Sequence, residues 1–237
     1  MFAKPPTAQE AVLEAVRTSL LDGTLAPGTR INVDGMATEM NVSRAPVRDA
    51  LRILEGEGQV EYIPHRGYTV PELDPEDLFQ IYRIRELIET EAILLGFDKI
   101  DDAVLDEMRS AAAEVTEAVS AGDKIAGTFA NRRFHFALFE TCGQERLVRT
   151  IRNMWNADVY RTIYFADPAM TRESDGEHYE IIDAAGSGDV HRLIEVSNHH
   201  RNHALQMVLT VLEQRGELPG GEMPEPSVWR ARLTNRA

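Results

Sequence analysis

Apolar residues recur every three to four positions through residues 8–21, with Val12, Val16 and Leu20 on one stripe. That period predicts an amphipathic helix, ended by Asp22-Gly23 and followed by a turn at Pro27-Gly28. A short helix over roughly 33–40 presents Met36, Ala37 and Met40, and Asn41-Val42-Ser43 makes a tight link. Ser43 fits the N-cap of a helix from Arg44 to about Glu55, which Gly56 and Gly58 terminate. Two β-like runs follow, Gln59–Ile63 and Gly67–Val70, joined by Pro64-His65-Arg66 as a hairpin. Three helices and then a hairpin is the order of a winged helix-turn-helix.

Beyond Pro71 the pattern changes. From Glu76 to Arg215 only helical periodicity is found, in segments 75–96, 102–121, 123–142, 144–165, 171–187 and 189–215. Gly96, Gly122, Gly143, Asp167-Pro168 and Gly186–Gly188 separate them. The expected fold is therefore mainly α: a winged helix-turn-helix over residues 1–71, a linker at 72–75 in which Asp74 caps the helix that follows, and an antiparallel helical bundle over 76–215. Residues 216–237, rich in Gly, Pro and Glu, read as a mobile tail, although Val228, Trp229 and Leu233 are able to dock.

Charge sharpens this division. The chain of 237 residues carries 25 Lys+Arg and 39 Asp+Glu, a net of −14. Residues 1–71 hold 7 basic and 9 acidic groups (−2), leaving 18 and 30 (−12) for the remainder. Within the first part, Arg44 to Arg52 has three arginines against Asp49, a local +2. Exposed charges further apart than about 8–10 Å are largely screened at physiological salt, so a basic strip functions on an acidic protein. The single Cys142 excludes an intramolecular disulfide and reads as a small buried hydrophobe. No apolar leader and no membrane-length apolar run is present, which predicts a cytoplasmic protein without a membrane partner.

Arg44, Arg48 and Arg52 sit four apart on one helix face, while Val47, Leu51 and Leu54 line another. A recognition helix needs that split, one side anchored and the other entering the major groove. His65 and Arg66 at the hairpin tip reach toward a neighbouring minor groove or its phosphates. The competing reading is a merely solvated arginine face. In the bundle, Asn131 and His135 lie four apart on one helix, His178 opens a later one, and His200 falls in the stripe Leu193, Ser197, Ala204, Val208. Three imidazoles and an amide oxygen make a first shell for a divalent metal; the competing reading is hydrogen-bonded core histidines. His199 and His203, also four apart, lie on a flanking face and read as structural or exposed.

Leu25–Gly28 together with Val42-Ser43-Arg44-Ala45-Pro46-Val47-Arg48-Asp49-Ala50-Leu51-Arg52 closely resembles the N-terminal domain of GntR-type bacterial regulators, continuing into Gly67 and Val70 of the wing. The resemblance spans residues 10–71 and implies that Arg44 and Arg48 contact double-stranded operator DNA, with Ser43, Arg52, His65 and Arg66 assisting. Asp34 departs from it, standing where many members carry a DNA-contacting arginine. Arg85-Glu86-Leu87-Ile88-Glu89, Asn131 through His135, Glu177-His178 and His200 are similar to the FCD ligand-binding domain of the FadR subfamily. That resemblance implies a metal (zinc, nickel or manganese) on Asn131, His135, His178 and His200. It implies a small organic or sugar acid as effector, and a homodimer reading an inverted repeat.

Three neutral imidazoles and an amide leave a dication uncompensated, which invites a carboxylate. Arg85 or Arg161 is placed to hold its far end, against the alternative of surface ion pairs; Tyr82, Tyr160 and Tyr164 are candidates to line the cavity. The expected function is a ligand-responsive transcription regulator, a repressor by preference, in which the effector shifts the bundle against the linker at Pro71–Pro75. The alternative is a metal-dependent enzyme acting on a small organic acid. Against it, the chain has no His-Glu-x-x-His and no carboxylate placed as a general base.

Overall fold

The computed structural model describes residues 6–72, 74–157 and 168–216. Helix α1 spans Ala8–Leu21, opened by a reciprocal capping box between Thr7 and Glu10. Helices α2 (Val33–Glu39) and α3 (Arg44–Gly56) follow, linked through Asn41, which takes φ +52° to turn the chain sharply. Strands β1 (Glu61–Ile63) and β2 (Gly67–Thr69) form an antiparallel hairpin in the register Tyr62↔Tyr68, with His65 at φ +65° in its tip. Val12, Val16, Val47, Leu51 and Leu54 are fully buried in one core, so the helix stripes pack as their period requires. The hairpin also has a third backbone neighbour that the sequence pattern does not reveal. Arg30 bridges Thr69, and Ile31 N–H donates to the Tyr68 carbonyl at 2.8 Å.

Six helices follow among the described residues: α4 (Pro75–Gly96), α5 (Asp102–Ala121), α6 (Lys124–Phe139), α7 (Glu145–Ala157), α8 (Pro168–Gly186) and α9 (Val190–Arg215). The Asp74 side chain accepts from Glu76 N–H and Pro75 occupies the first helical position, so α4 starts where the chain leaves the hairpin domain. The segment expected as one helix over 123–142 is α-helical only to Phe139 and finishes as a 3-10 turn, Glu140–Cys142. That turn lies against Gly96, where a Cβ would collide with Thr141 Oγ1 and the Cys142 backbone nitrogen. Helix α8 begins at Pro168 rather than 171, and the segment expected over 144–165 is described to Ala157. The tail with Val228, Trp229 and Leu233 lies outside the described residues.

Two cores hold the bundle. The larger collects Ile93, Met108, Phe134, Ile151, Ile181 and Leu193 from six helices. The smaller joins Leu78, Ile81 and Tyr82 at the start of α4 to Leu205, Val208, Leu209 and Leu212 near the end of α9. Cys142 is buried as expected of a small hydrophobe. No helix among the described residues is long and apolar enough to cross a membrane.

Candidate functional site

Helix α3 presents Arg44, Arg48 and Arg52 outward, opposite its buried Val47, Leu51 and Leu54. Arg48 and Arg52 line an open groove of about 760 Å³ between α3 and the hairpin, which Arg30, Tyr62 and Tyr68 complete. His65 and Arg66 stand exposed at the hairpin tip beyond it. Arg30 was not among the expected basic residues. Its place two residues after Pro27-Gly28 is a turn signal, but its pairing to β2 is tertiary.

Two local details go beyond the expectations. Ser43 occupies the N-cap position with extended backbone, yet its side chain makes no capping hydrogen bond, so its exposed hydroxyl is not committed to the helix. Asp34 does more than replace a basic residue: its Oδ1 pairs with Arg44 Nε at 2.7 Å, with both side chains about two-thirds exposed. Part of the arginine face of α3 is therefore neutralised from within.

The histidine cluster forms where α6, α8 and α9 meet. Helical period puts Asn131 and His135 on the inner face of α6, and both are buried with His178 and His200. Ring nitrogens of His135, His178 and His200, one from each, lie within 4.8 Å of one another. His135 Nε2 and His200 Nε2 are 3.2 Å apart. Two nitrogens bound to one ion at ~2.0–2.1 Å would stand about 3–3.4 Å apart, so the present spacing fits a shared dication. Trp155 and Phe134 pack against the His135 ring at centroid distances of 5.0 and 4.9 Å, which keeps water away.

Glu177, adjacent to His178 in sequence, orients this cluster from outside. Its Oε2 accepts from His200 Nδ1–H at 2.7 Å, which leaves the Nε2 lone pair facing His135 and His178. Burial lowers the His200 pKa and outweighs the pull of Glu177, so the ring stays neutral, as a ligand must. Burial works to raise Glu177, but hydrogen bonds from His200 and His203 prevail and hold it below the usual carboxylate range.

Beside the histidines lies a cavity of about 40 Å³, lined among others by Tyr82, Arg85, Asn131, Ser197 and Arg201. Arg85 is not a surface ion pair. It is buried, donates from Nε to Glu89 Oε1 at 2.8 Å, and stacks on the Tyr82 and Trp155 rings at 4.7 and 4.5 Å. Glu89 also accepts from Trp155 Nε1–H at 2.7 Å and from Arg201 Nε at 2.8 Å. Burial pushes its pKa up, yet the two guanidiniums outweigh this and bring it down to about 2. Sequence reasoning missed Arg201, Trp155 and the anchoring role of Glu89. Arg201 follows Ser197 by one helical turn in the apolar stripe of α9, and a cation in such a stripe was the available signal. Ser197 Oγ is buried at the cavity with no hydrogen-bond partner among the described residues. Arg161, Tyr160 and Tyr164 lie outside the described residues.

Two family models match: the FCD domain over residues 80–203, and bacterial regulatory proteins of the gntR family over residues 8–70. The HTH-type transcriptional regulator YdhC of Bacillus subtilis is 30% identical over 53% of this chain, and the match spans little more than half of that relative, 56%. The Nta operon transcriptional regulator of Aminobacter aminovorans is 29% identical over 65% of this chain and 72% of its own. Among solved structures, E. coli McbR/YncC superposes with a TM-score of 0.75 at 23% identity, covering 89% of this chain and 99% of that one; the likeness is one of fold. The sequence relatives named here regulate transcription. This sets the metalloenzyme alternative aside, in keeping with Glu89 and Glu177 both being tied by ion pairs or hydrogen bonds.

Proposed function

The chain belongs to the GntR-type bacterial transcription regulators that carry an FCD domain, and from there we propose a cytoplasmic, dimeric, ligand-responsive repressor of the FadR kind. Its reader is residues 1–71, joined through 72–75 to a sensor of residues 76–215. A small organic or sugar acid, bound in the sensor cavity, changes operator affinity.

The observation that carries the sensor reading is a mismatch of charge. Arg85 and Arg201 share one carboxylate, Glu89, so the charged lining of the cavity sums to +1. A buried excess cation seeks an anion. His135, His178 and His200, with Asn131 buried on the same face of α6 as His135, offer donor atoms for zinc, nickel or manganese, and a bound dication would supply further positive charge to such an anion. Ser197 Oγ offers a hydrogen bond, while Arg85, Arg201 and Tyr82 set the polar frame of the acid's far end.

Size then links binding to shape. The cavity is small, about 40 Å³, so an acid of several heavy atoms is best accommodated when side chains or helices around it move. The acid therefore favours an expanded sensor over the present one, and that difference in affinity is what an allosteric ligand requires. Helix α4 carries the movement, because it bears Tyr82, Arg85 and Glu89 on its inner face and begins directly after the linker.

Its outer face supports the dimer. Ile84, Leu87, Leu94 and Leu95 are exposed by 42%, 63%, 48% and 45% and line one stripe. Contiguous exposed apolar surface of this kind marks an association site. Arg83 and Glu91 flank Leu87 by one turn each, so a second copy packed antiparallel about Leu87 brings Arg83 of one against Glu91 of the other, twice. A twofold pair of readers matches an inverted repeat, with Arg48 and Arg52 in the major groove, Arg44 and Ser43 at its edge, and His65 and Arg66 beyond it.

A gel shift with the DNA upstream of its own operon, at moderate salt, tests this reading. Wild type binds, an Arg44→Ala/Arg48→Ala double variant loses binding, and an organic acid selected by thermal shift releases the DNA in a chelator-sensitive way. Equal binding by the double variant refutes the reader. Indifference of operator affinity to every stabilising acid refutes the sensor.

A further inference from the structure

Outside the buried histidine cluster, α9 carries a second pair of imidazoles one turn apart, His199 and His203. Both face the same atom. Glu177 Oε1 lies 2.6 Å from His203 Nδ1 and 3.7 Å from His199 Nε2. The two rings run nearly parallel, with centroids 6.3 Å apart. His199 is 68% exposed and His203 28%, so the pair opens to solvent, whereas Glu177 at 13% is held in place beneath it. We propose that His199, His203 and Glu177 form an outer site for a transition-metal dication, separate from the inner one.

Donor chemistry selects the class of ion. Two imidazole nitrogens and one carboxylate oxygen suit zinc, nickel, copper or cobalt, and disfavour magnesium and calcium, which prefer oxygen alone. Geometry asks for a rotation of His199, because the donor atoms of His199, His203 and Glu177 do not yet all lie within 4.8 Å of one another. An ion bound at ~2.0–2.2 Å to each donor sets nitrogen and oxygen about 3–3.4 Å apart. The present 2.6 and 3.7 Å straddle that range, and the exposed His199 side chain is free to turn. The ion binds between His203 Nδ1 and Glu177 Oε1, with the His203 ring in the tautomer that carries its proton on Nε2, and water completes its coordination. The net charge of −12 over residues 72–237 raises the local concentration of dications. A bare hydrogen-bonded surface pair, the simpler account, predicts no such uptake.

Glu177 is common ground for both sites, because its other oxygen orients His200. The outer site does not depend on the inner one being filled, and the experiment separates them. Tag-free full-length protein, stripped with chelator, is titrated with Zn²⁺ alone in a calorimeter, alongside His199→Ala, His203→Gln and His135→Ala. Thermal melts without metal check that each variant is folded. Wild type is expected to take two ions per chain. The His199→Ala and His203→Gln chains lose one of them or bind it at least ~10-fold more weakly, and His135→Ala retains that ion. If wild type takes a single ion that His199→Ala abolishes, the outer site stands and the inner metal falls. Zinc uptake in His199→Ala equal to wild type, at any stoichiometry including none, overturns the proposal.

Discussion

Replacing Glu89 by Gln tests the buried charge cluster most directly. The change keeps the side chain's shape but removes the one negative charge that Arg85 and Arg201 share, with both arginines buried. Glu89 is held at about 2 against an ordinary 4.5. At ~1.4 kcal/mol per pH unit that difference is worth roughly 3 kcal/mol. The figure agrees with the ~3–5 kcal/mol expected when one partner of a buried ion pair is removed. Because the folded-state pKa is depressed, the contribution is complete above about 4.5 and fades as pH falls toward 2. Urea denaturation of chelator-treated wild type and Glu89→Gln should thus show a gap of roughly 3 kcal/mol at pH 7, narrowed by about 1 kcal/mol at pH 3.5. Other carboxylates titrate in both proteins and cancel. A gap under about 1 kcal/mol at pH 7, or one that does not narrow with acid, would refute the claim that Glu89 holds both guanidiniums.

Further outcomes concern the reading face and the dimer. Asp34→Asn frees Arg44 from its exposed ion pair, and since such pairs are worth ~0–1 kcal/mol, operator affinity should rise by up to about 5-fold; a loss of affinity would show instead that Asp34 positions Arg44. Ser43→Ala should leave stability in urea within ~0.5 kcal/mol, because its hydroxyl caps nothing, whereas a capping serine costs about 1 kcal/mol; its effect should appear in gel shifts alone. Leu87→Glu, at the centre of the exposed α4 stripe, should convert dimer to monomer in sedimentation while the thermal melt of the reader persists. An unchanged sedimentation coefficient would place the seam elsewhere.

The reader was legible because its signals are local. The stripe Val47, Leu51, Leu54 and the arginines opposite it follow from helical period alone, and the turn at Pro64–Arg66 fixes the hairpin. What escaped were the contacts between elements. Arg30 joins β2 by backbone pairing, and Asp34 meets Arg44 only because α2 and α3 cross there. In the bundle, period placed Asn131 with His135 and put His200 inward, as found. Glu89 with Arg201, 112 residues apart, could not be joined by any spacing rule, since it takes the packing of α4 on α9 to bring them together. The 3-10 end of α6 was hidden: Gly143 at φ +66° marks where the helix stops, but the close approach of Gly96 to Thr141 and Cys142 is a tertiary contact.

The small volume beside His135 and Arg85 also has a consequence in time. If the proposed acid needs the helices to part before it enters, it would wait for that opening and wait again to leave. Its capture rate then stops rising with concentration once opening becomes limiting, and its release is governed by the same barrier. A regulator built this way ignores brief pulses of ligand and keeps its setting for a while after the ligand has gone. On the proposed reading, the lifetime of the transcriptional response would be set by the tightness of the sensor's interior as much as by the strength of any contact within it.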